Sequence, residues 1–270
     1  MTILRKLALV AFTLGLALTT SEVSTPTSAS ATTFDNPNNP GPVFRFYKTD
    51  GSHFYTASES EKEQLQRVGG GYRYEGVAFY AYSKKLSDVE AVYRFYKFRE
   101  GTHFYTANPE EYAALIATAS ETYRYEGEAY YGSTDLLNSA PVYRFYKFQQ
   151  GTHFYTVRPD EAQALIARHR DVYRFEGVTF DAPVDLYFAG PGTGNTTPFY
   201  LPDDPVEFMA LGEDLVGSLH PVAGGPEGVQ LFSPDGGFSQ SRIHTTRDGL
   251  YYLQVSIQEP WAITIRVFDY

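Results

Sequence analysis

A small set of reactive side chains recurs in this chain at a spacing that a single catalytic centre would not need. His53, His103 and His153 lie 50 residues apart, and Glu75, Glu126 and Glu176 lie 51 and 50 apart. Each histidine follows an arginine (Arg45, Arg94, Arg144) and sits two residues before a tyrosine (Tyr55, Tyr105, Tyr155). Each glutamate stands two residues after a further arginine (Arg73, Arg124, Arg174), with Tyr74, Tyr125 or Phe175 in between. Three chemistries fit this set. An Arg–Glu–His network would knit strands together, because buried charges are tolerated when they satisfy one another. Three equivalent pockets would bind sugar rings, whose apolar faces stack on tyrosine and whose hydroxyls meet Arg, Glu and His. Three histidines converging on a symmetry axis would make a metal site. The fifteen Arg, His, Tyr and Glu residues are the expected ligand-binding set; no metal ligand, cofactor or catalytic residue is assigned.

Other enzyme signatures are missing from the sequence. There is no cysteine, and no G-x-S-x-G, H-E-x-x-H or phosphate-binding loop. Ser218 lies close to His220 and Ser239 to His244, but a catalytic triad is defined in space and not by adjacency.

The elements that must position the repeated residues follow from the local pattern. "VYRFYKFREGTHFYT" (92–106) and "VYRFYKFQQGTHFYT" (142–156) agree at 13 of 15 positions, and "VFRFYKTDGSHFYT" (43–56) precedes them. The β-branched and aromatic run predicts a strand, a glycine turn and a second short strand. Helix starts follow at Thr56 with Glu59 and at Asn108-Pro109-Glu110-Glu111, while the third has Arg158 where a capping oxygen would sit. Tyr112, Leu115, Ile116 and Ala119 take helical spacing, and YRYEGVAFYAY and its relatives read as a third strand kinked at Gly76, Gly127 or Gly177. The chain is thus expected to be mainly β with short helices. Three ββαβ repeats (43–82, 92–133 and 142–182) form a pseudo-threefold body, preferred over a β-trefoil, whose units have no amphipathic helix. From 184 to 270, short strand-like runs between Gly, Pro and Asp-Gly turns predict an antiparallel β-sandwich.

Residues 1–31 pair a basic start, Arg5-Lys6, with the apolar run Leu7–Leu18 and a small-x-small site at Ala29-Ser30-Ala31. That layout predicts a signal peptide and a secreted protein with no membrane span, and the Asn-, Pro- and Gly-rich stretch 32–42 reads as a flexible leader before the repeats. Without residues 1–31 the chain carries 20 basic and 31 acidic residues, a formal charge of −11, which disfavours nucleic acid as a partner. Oligomeric state is left open.

The units resemble an uncharacterised repeat family of secreted bacterial and fungal proteins, built on Y-R-x-Y, G-x-H-F-Y-T, a helix and Y-E-G-x-A-F-Y. The third unit departs from it at Thr179 and Asp181. The resemblance implies an extracellular module, often attached to wall- or polysaccharide-acting enzymes, with a glycan-binding role. "DGLYYLQVSI" (248–257) resembles the penultimate strand of pre-peptidase C-terminal β-sandwich modules. The expected function is non-catalytic recognition of cell-wall or extracellular polysaccharide. The alternative is a structural or adhesive extracellular protein that binds another protein and uses the polar set as scaffold.

Overall fold

The computed structural model describes residues 33–34, 36–202, 205–211, 215–223, 228–232, 238–244, 249–257 and 261–267; the expected signal peptide and the side chain of His244 lie outside the described residues. Among the described residues the fold is mainly β, with three short helices and several antiparallel sheets. Each repeat is a β-hairpin, a helix and a long third strand. In the first unit these are Gly41–Lys48, His53–Thr56, α1 (Glu59–Val68) and Tyr72–Ala81. The second has Val89–Lys97, Thr102–Thr106, α2 (Pro109–Thr118) and Tyr123–Ser133; the third has Ser139–Lys147, Thr152–Thr156, α3 (Pro159–Arg168) and Tyr173–Pro183.

Period-two alternation divides each hairpin between two tasks. Phe44, Phe46 and Phe54 point to one face and close a small cluster with Leu65, Tyr72 and Tyr74; Phe145 and Phe154 do the same with Ala162, Leu165 and Tyr173. The intervening residues, Arg45, His53 and Tyr55, point to the opposite face. The helices start where acidic residues meet the positive helix end. Asn108 caps α2 by accepting from the Glu110 and Glu111 N–H groups, and Arg158 gives α3 no side-chain cap. In α1 the cap is Ser58, which accepts from the Glu61 N–H, and not the expected Thr56. Thr56 instead ends the strand: its hydroxyl donates to the Glu61 carboxylate and accepts from the Ser58 N–H at 2.9 Å.

The glycine kinks are β-bulges. Pairing of the first and third strands skips Glu75 between Tyr74 and Gly76, Glu126 between Tyr125 and Gly127, and Glu176 between Phe175 and Gly177. The glycine beside each bulge has φ of +99°, +106° or +102°, a left-handed conformation that strains any side chain. A bulge re-aims one side chain, and here that side chain is the recurrent glutamate.

The three units close around an axis lined by tyrosine. The strands bearing Tyr55, Tyr105 and Tyr155 are sheet edges, whose outward N–H and C=O groups need partners once buried. The Tyr55 hydroxyl accepts from the Tyr155 N–H and donates to the Tyr155 C=O, both at 2.9 Å. The Tyr155 hydroxyl serves Tyr105 in the same way at 2.9 and 2.9 Å, and that of Tyr105 serves Tyr55 at 3.3 and 2.6 Å. Six bonds therefore close a ring between the edges. Their rings meet edge to face at 5.4–5.9 Å, above a second aromatic triplet of Phe79, Tyr130 and Phe180.

Beyond the repeats, one sheet orders the strands Thr33–Phe34, Gly194–Thr196, Gly249–Ser256, Val216–Pro221 and Val229–Phe232, with Phe199–Leu201 also on Gly249–Ser256. The facing sheet orders Asp185–Gly190, Trp261–Arg266, Pro205–Leu211 and Phe238–His244. Alternation buries Leu186, Phe188, Val206, Phe208, Leu253, Val255, Ile263 and Ile265 between them. One buried cluster runs from the axial tyrosines into this sandwich, and residues Thr32–Tyr270 form one compact unit. Two asymmetries bind the parts. Lys62, where the other units have Tyr112 and Ala162, lies 4.4 Å over both the Phe44 and Tyr200 rings and bonds the Tyr200 hydroxyl. Leader residues Asn36 and Asn39 each donate to the Tyr187 C=O at 3.0 Å.

Candidate functional site

The bulged glutamate organises the polar set of each unit. Glu75 Oε2 lies 3.1 Å from Arg45 Nε and 3.4 Å from His53 Nε2, and its Oε1 accepts from Arg73 at 2.7 Å. Glu126 repeats this with Arg94 (3.1 Å), His103 (3.1 Å) and Arg124 (2.7 Å), and Glu176 with Arg144 (3.0 Å), His153 (3.3 Å) and Arg174 (2.8 Å). Arg, His and Glu are thus brought together within each unit. Arg73, Arg124 and Arg174 are the outer arms, with side chains 71, 59 and 60 % exposed, stacked over Tyr47, Tyr96 and Tyr146. Tyr55, Tyr105 and Tyr155 lie apart from these networks, fully buried at the axis.

Electrostatics follow from burial and pairing. Burial lowers the affinity of all three histidines for a proton, against the attraction of the adjacent glutamate, and His103 falls to about 4; all three are neutral imidazoles at pH 7. Burial alone would raise the Glu176 carboxyl, but the His153, Arg174 and Arg144 contacts outweigh it and pull it down to about 2. Glu75 and Glu126 shift downward for the same reasons. Although they share the fold's threefold pattern, the histidines do not meet: His53 packs on Phe154, His103 on Phe54 and His153 on Phe104, at 4.8–4.9 Å. Among the described residues, no three His, Asp or Glu side chains are grouped to hold a metal ion.

Glutamates and lysines outside the expected set, the glutamates paired with its first arginines, join neighbouring units. Arg94 reaches Glu61 at 3.2 and 3.3 Å, Arg144 reaches Glu111 at 2.8 and 2.8 Å, and Arg45 reaches Glu161 at 3.2 Å. Running the other way, Lys48 donates to the Gly101 C=O, Lys97 to that of Gly151 and Lys147 to that of Gly51. These residues were legible in principle, because Glu61, Glu111 and Glu161 recur at 50 and 50, and the lysines at 49 and 50.

The seam between the first and second units opens into two cavities that share Glu61, Arg94 and Glu126. One, of about 280 Å³, has an apolar wall of Phe54, Leu65 and Tyr72 facing Gln64, His103 and the shared ion pairs. The other, of about 400 Å³, is lined by Thr56, Ser58, Ser60, Glu128 and the same three groups. An aromatic and aliphatic wall opposite a few fixed polar groups is the general form of a small-ligand site. In the sandwich, Ser218 Oγ lies 2.7 Å from His220 Nε2, but the ring is stacked on Tyr252 at 5.1 Å, and among the described residues no carboxylate pairs with it.

Residues 26–133 match the family model of a domain of unknown function (DUF5648). That span takes in the first two units and hence the seam between them. No curated protein and no solved structure matches the chain.

Proposed function

We propose that this chain is a secreted, non-catalytic module that binds cell-wall or extracellular polysaccharide in the seams between its repeats. The observation that carries the reading is the 280 Å³ cleft, where Phe54 and Tyr72 face Arg94, Glu61 and Gln64. A sugar offers an apolar face to the aromatic wall and hydroxyls to the polar one. The polar groups are already positioned by ion pairs within and between units, so little ordering entropy opposes binding. Repetition of the framework on one compact body suits a polymer, which several sites engage with gain in effective concentration. The bulged glutamate networks are then both the knit of each unit and one wall of each seam.

The test is retention on insoluble chitin, cellulose and peptidoglycan by the purified protein and by a variant whose seams are filled at their mouths, Gln64→Trp/Ala114→Trp/Ala164→Trp. Saturable retention of the parent protein, lost in a variant of unchanged melting temperature, is the expected result. No retention on any of the polymers, or equal retention of the variant, overturns the reading.

A further inference from the structure

The three seams share a frame but not a lining. Gln64, at the mouth of the first seam, is replaced by Ala114 and Ala164 in the others. Glu128, beside the same seam, corresponds to Val178 in the third unit and Val77 in the first. Every Arg, His and bulged Glu that knits the units recurs three times, so Gln64 and Glu128 are not required by that framework. Both are exposed, and neither takes part in the inter-unit ion pairs. Glu128 touches the Tyr131 hydroxyl at the edge of the cavity. An exposed amide and a carboxylate added to one seam alone are ligand-facing in position and dispensable to architecture.

The charge of that seam sets the class of ligand. Glu61, Glu126 and Glu128 are balanced by two guanidiniums, Arg94, which pairs with the first two, and Arg124, which pairs with Glu126 from outside, so the seam keeps one negative charge in excess. His103 is neutral at pH 7, and the chain as a whole has a formal charge of −10. A uronate, sulfate or phosphate group would meet net negative charge there, whereas an ammonium group would find the Glu128 carboxylate, which accepts from the neutral Tyr131 hydroxyl and has no cationic partner among the described residues.

We infer that the seam between the first and second units is the principal binding site, and that it prefers a hexosamine-type sugar with a free amine over N-acetylated or anionic sugars. This rests on the proposed polysaccharide-binding function. The frame supplied by Phe54, Tyr72, Arg94 and Glu61 holds one ring and Gln64 meets its hydroxyl, while Glu128, in the adjoining cavity, pairs with the ammonium group of the next ring.

The test is calorimetric titration of the whole protein with short soluble oligomers, tetramers of glucosamine, N-acetylglucosamine and galacturonate, at physiological salt so that long-range attraction is screened. One strong site per chain is expected, the other two seams binding at least 10-fold more weakly, with the glucosamine tetramer at least 10-fold tighter than the N-acetylated one and no detectable galacturonate binding. Gln64→Ala/Glu128→Val, which gives this seam the residues of the other two, should weaken glucosamine binding at least 10-fold. Glu121→Gln, an exposed acid removed elsewhere, should change it less than 2-fold, which separates the site from general attraction to an acidic protein. Three equal sites, unchanged affinity in the double variant, or galacturonate binding as well as glucosamine would overturn the inference while leaving polysaccharide binding intact. Absence of binding to every oligomer and to the insoluble polymers would overturn both.

Discussion

Removing one axial hydroxyl, by Tyr155→Phe, should cost far more than a tyrosine-to-phenylalanine change usually does. That hydroxyl accepts from the Tyr105 N–H and donates to the Tyr105 C=O, both at 2.9 Å, and its side chain is 1 % exposed. Phenylalanine fills the same space and leaves both backbone groups unpaired in a site that water does not reach. An unsatisfied buried group costs about 1–3 kcal/mol, so the pair predicts a loss of about 2–6 kcal/mol, lessened where the phenol itself no longer has to be desolvated. A central value of about 4 kcal/mol is a large part of a domain stability of about 5–15 kcal/mol, and in a chain of this size it corresponds to a drop of roughly 10 °C in melting temperature. Urea unfolding of Tyr155→Phe, Tyr55→Phe and Tyr105→Phe checks both the size and the symmetry, since all three should fall within about 1 kcal/mol of each other by the equivalence of their bonds. Tyr187→Phe, at a half-exposed site in the sandwich, is the control and should cost less than about 0.5 kcal/mol. A loss below about 1 kcal/mol at all three axial positions would refute the argument that these hydroxyls close the sheet edges.

Other outcomes follow from the same geometry. Acidification should destabilise the fold in two stages. The histidine pKa values are depressed on folding, so their contribution is complete above pH 6.5 and is lost as pH falls below it, through about 4 for His103; the glutamate contribution is lost below 4.5, toward about 2 for Glu176. With about 1.4 kcal/mol per pK unit, His103 alone would remove roughly 3 kcal/mol, and a melting temperature that stays flat between pH 7 and 4 would contradict this. Arg144→Met breaks the pairs with Glu111 and Glu176 and should cost about 2–3 kcal/mol by urea unfolding, less than for a fully buried group because a third of Glu111 is exposed and Glu176 keeps Arg174. Lys62→Ala should cost about 1–2 kcal/mol from lost ring contacts and speed amide exchange in Phe199–Leu201, with axial strand exchange unchanged.

Much of the repeat fold was legible because its local signals agree with one another. The alternation in VYRFYK, the glycine turns, the Asn108-Pro109 helix start and the 50-residue period all point to one ββαβ unit used three times. The kinks at Gly76, Gly127 and Gly177 were visible as glycines inside strands, but not as bulges that present Glu75, Glu126 and Glu176 to three partners. The tyrosines show the limit of reading by residue type. Tyr is equally suited to a sugar platform and to a buried edge cap, and only the closure of three units decides that Tyr55, Tyr105 and Tyr155 serve the axis. The seam ion pairs escaped for a different reason: Arg94 and Glu61 lie 33 residues apart in separate units, so no local pattern links them. The cap of α1 lies two residues beyond the expected Thr56 because Thr56 and Ser58 carry equally good hydroxyl acceptors for a helix start, and the strand claims Thr56 first.

The most direct test of seam binding is a crystal structure of the whole protein soaked with a glucosamine tetramer. One sugar ring is expected in the cleft lined by Phe54, Tyr72 and Arg94, within hydrogen-bonding reach of Gln64, with the next ring within reach of Glu128 in the adjoining cavity. A saturated crystal in which that cleft stays empty while the sugar lies on the sandwich or against the exposed Phe98 and Phe148 would contradict it.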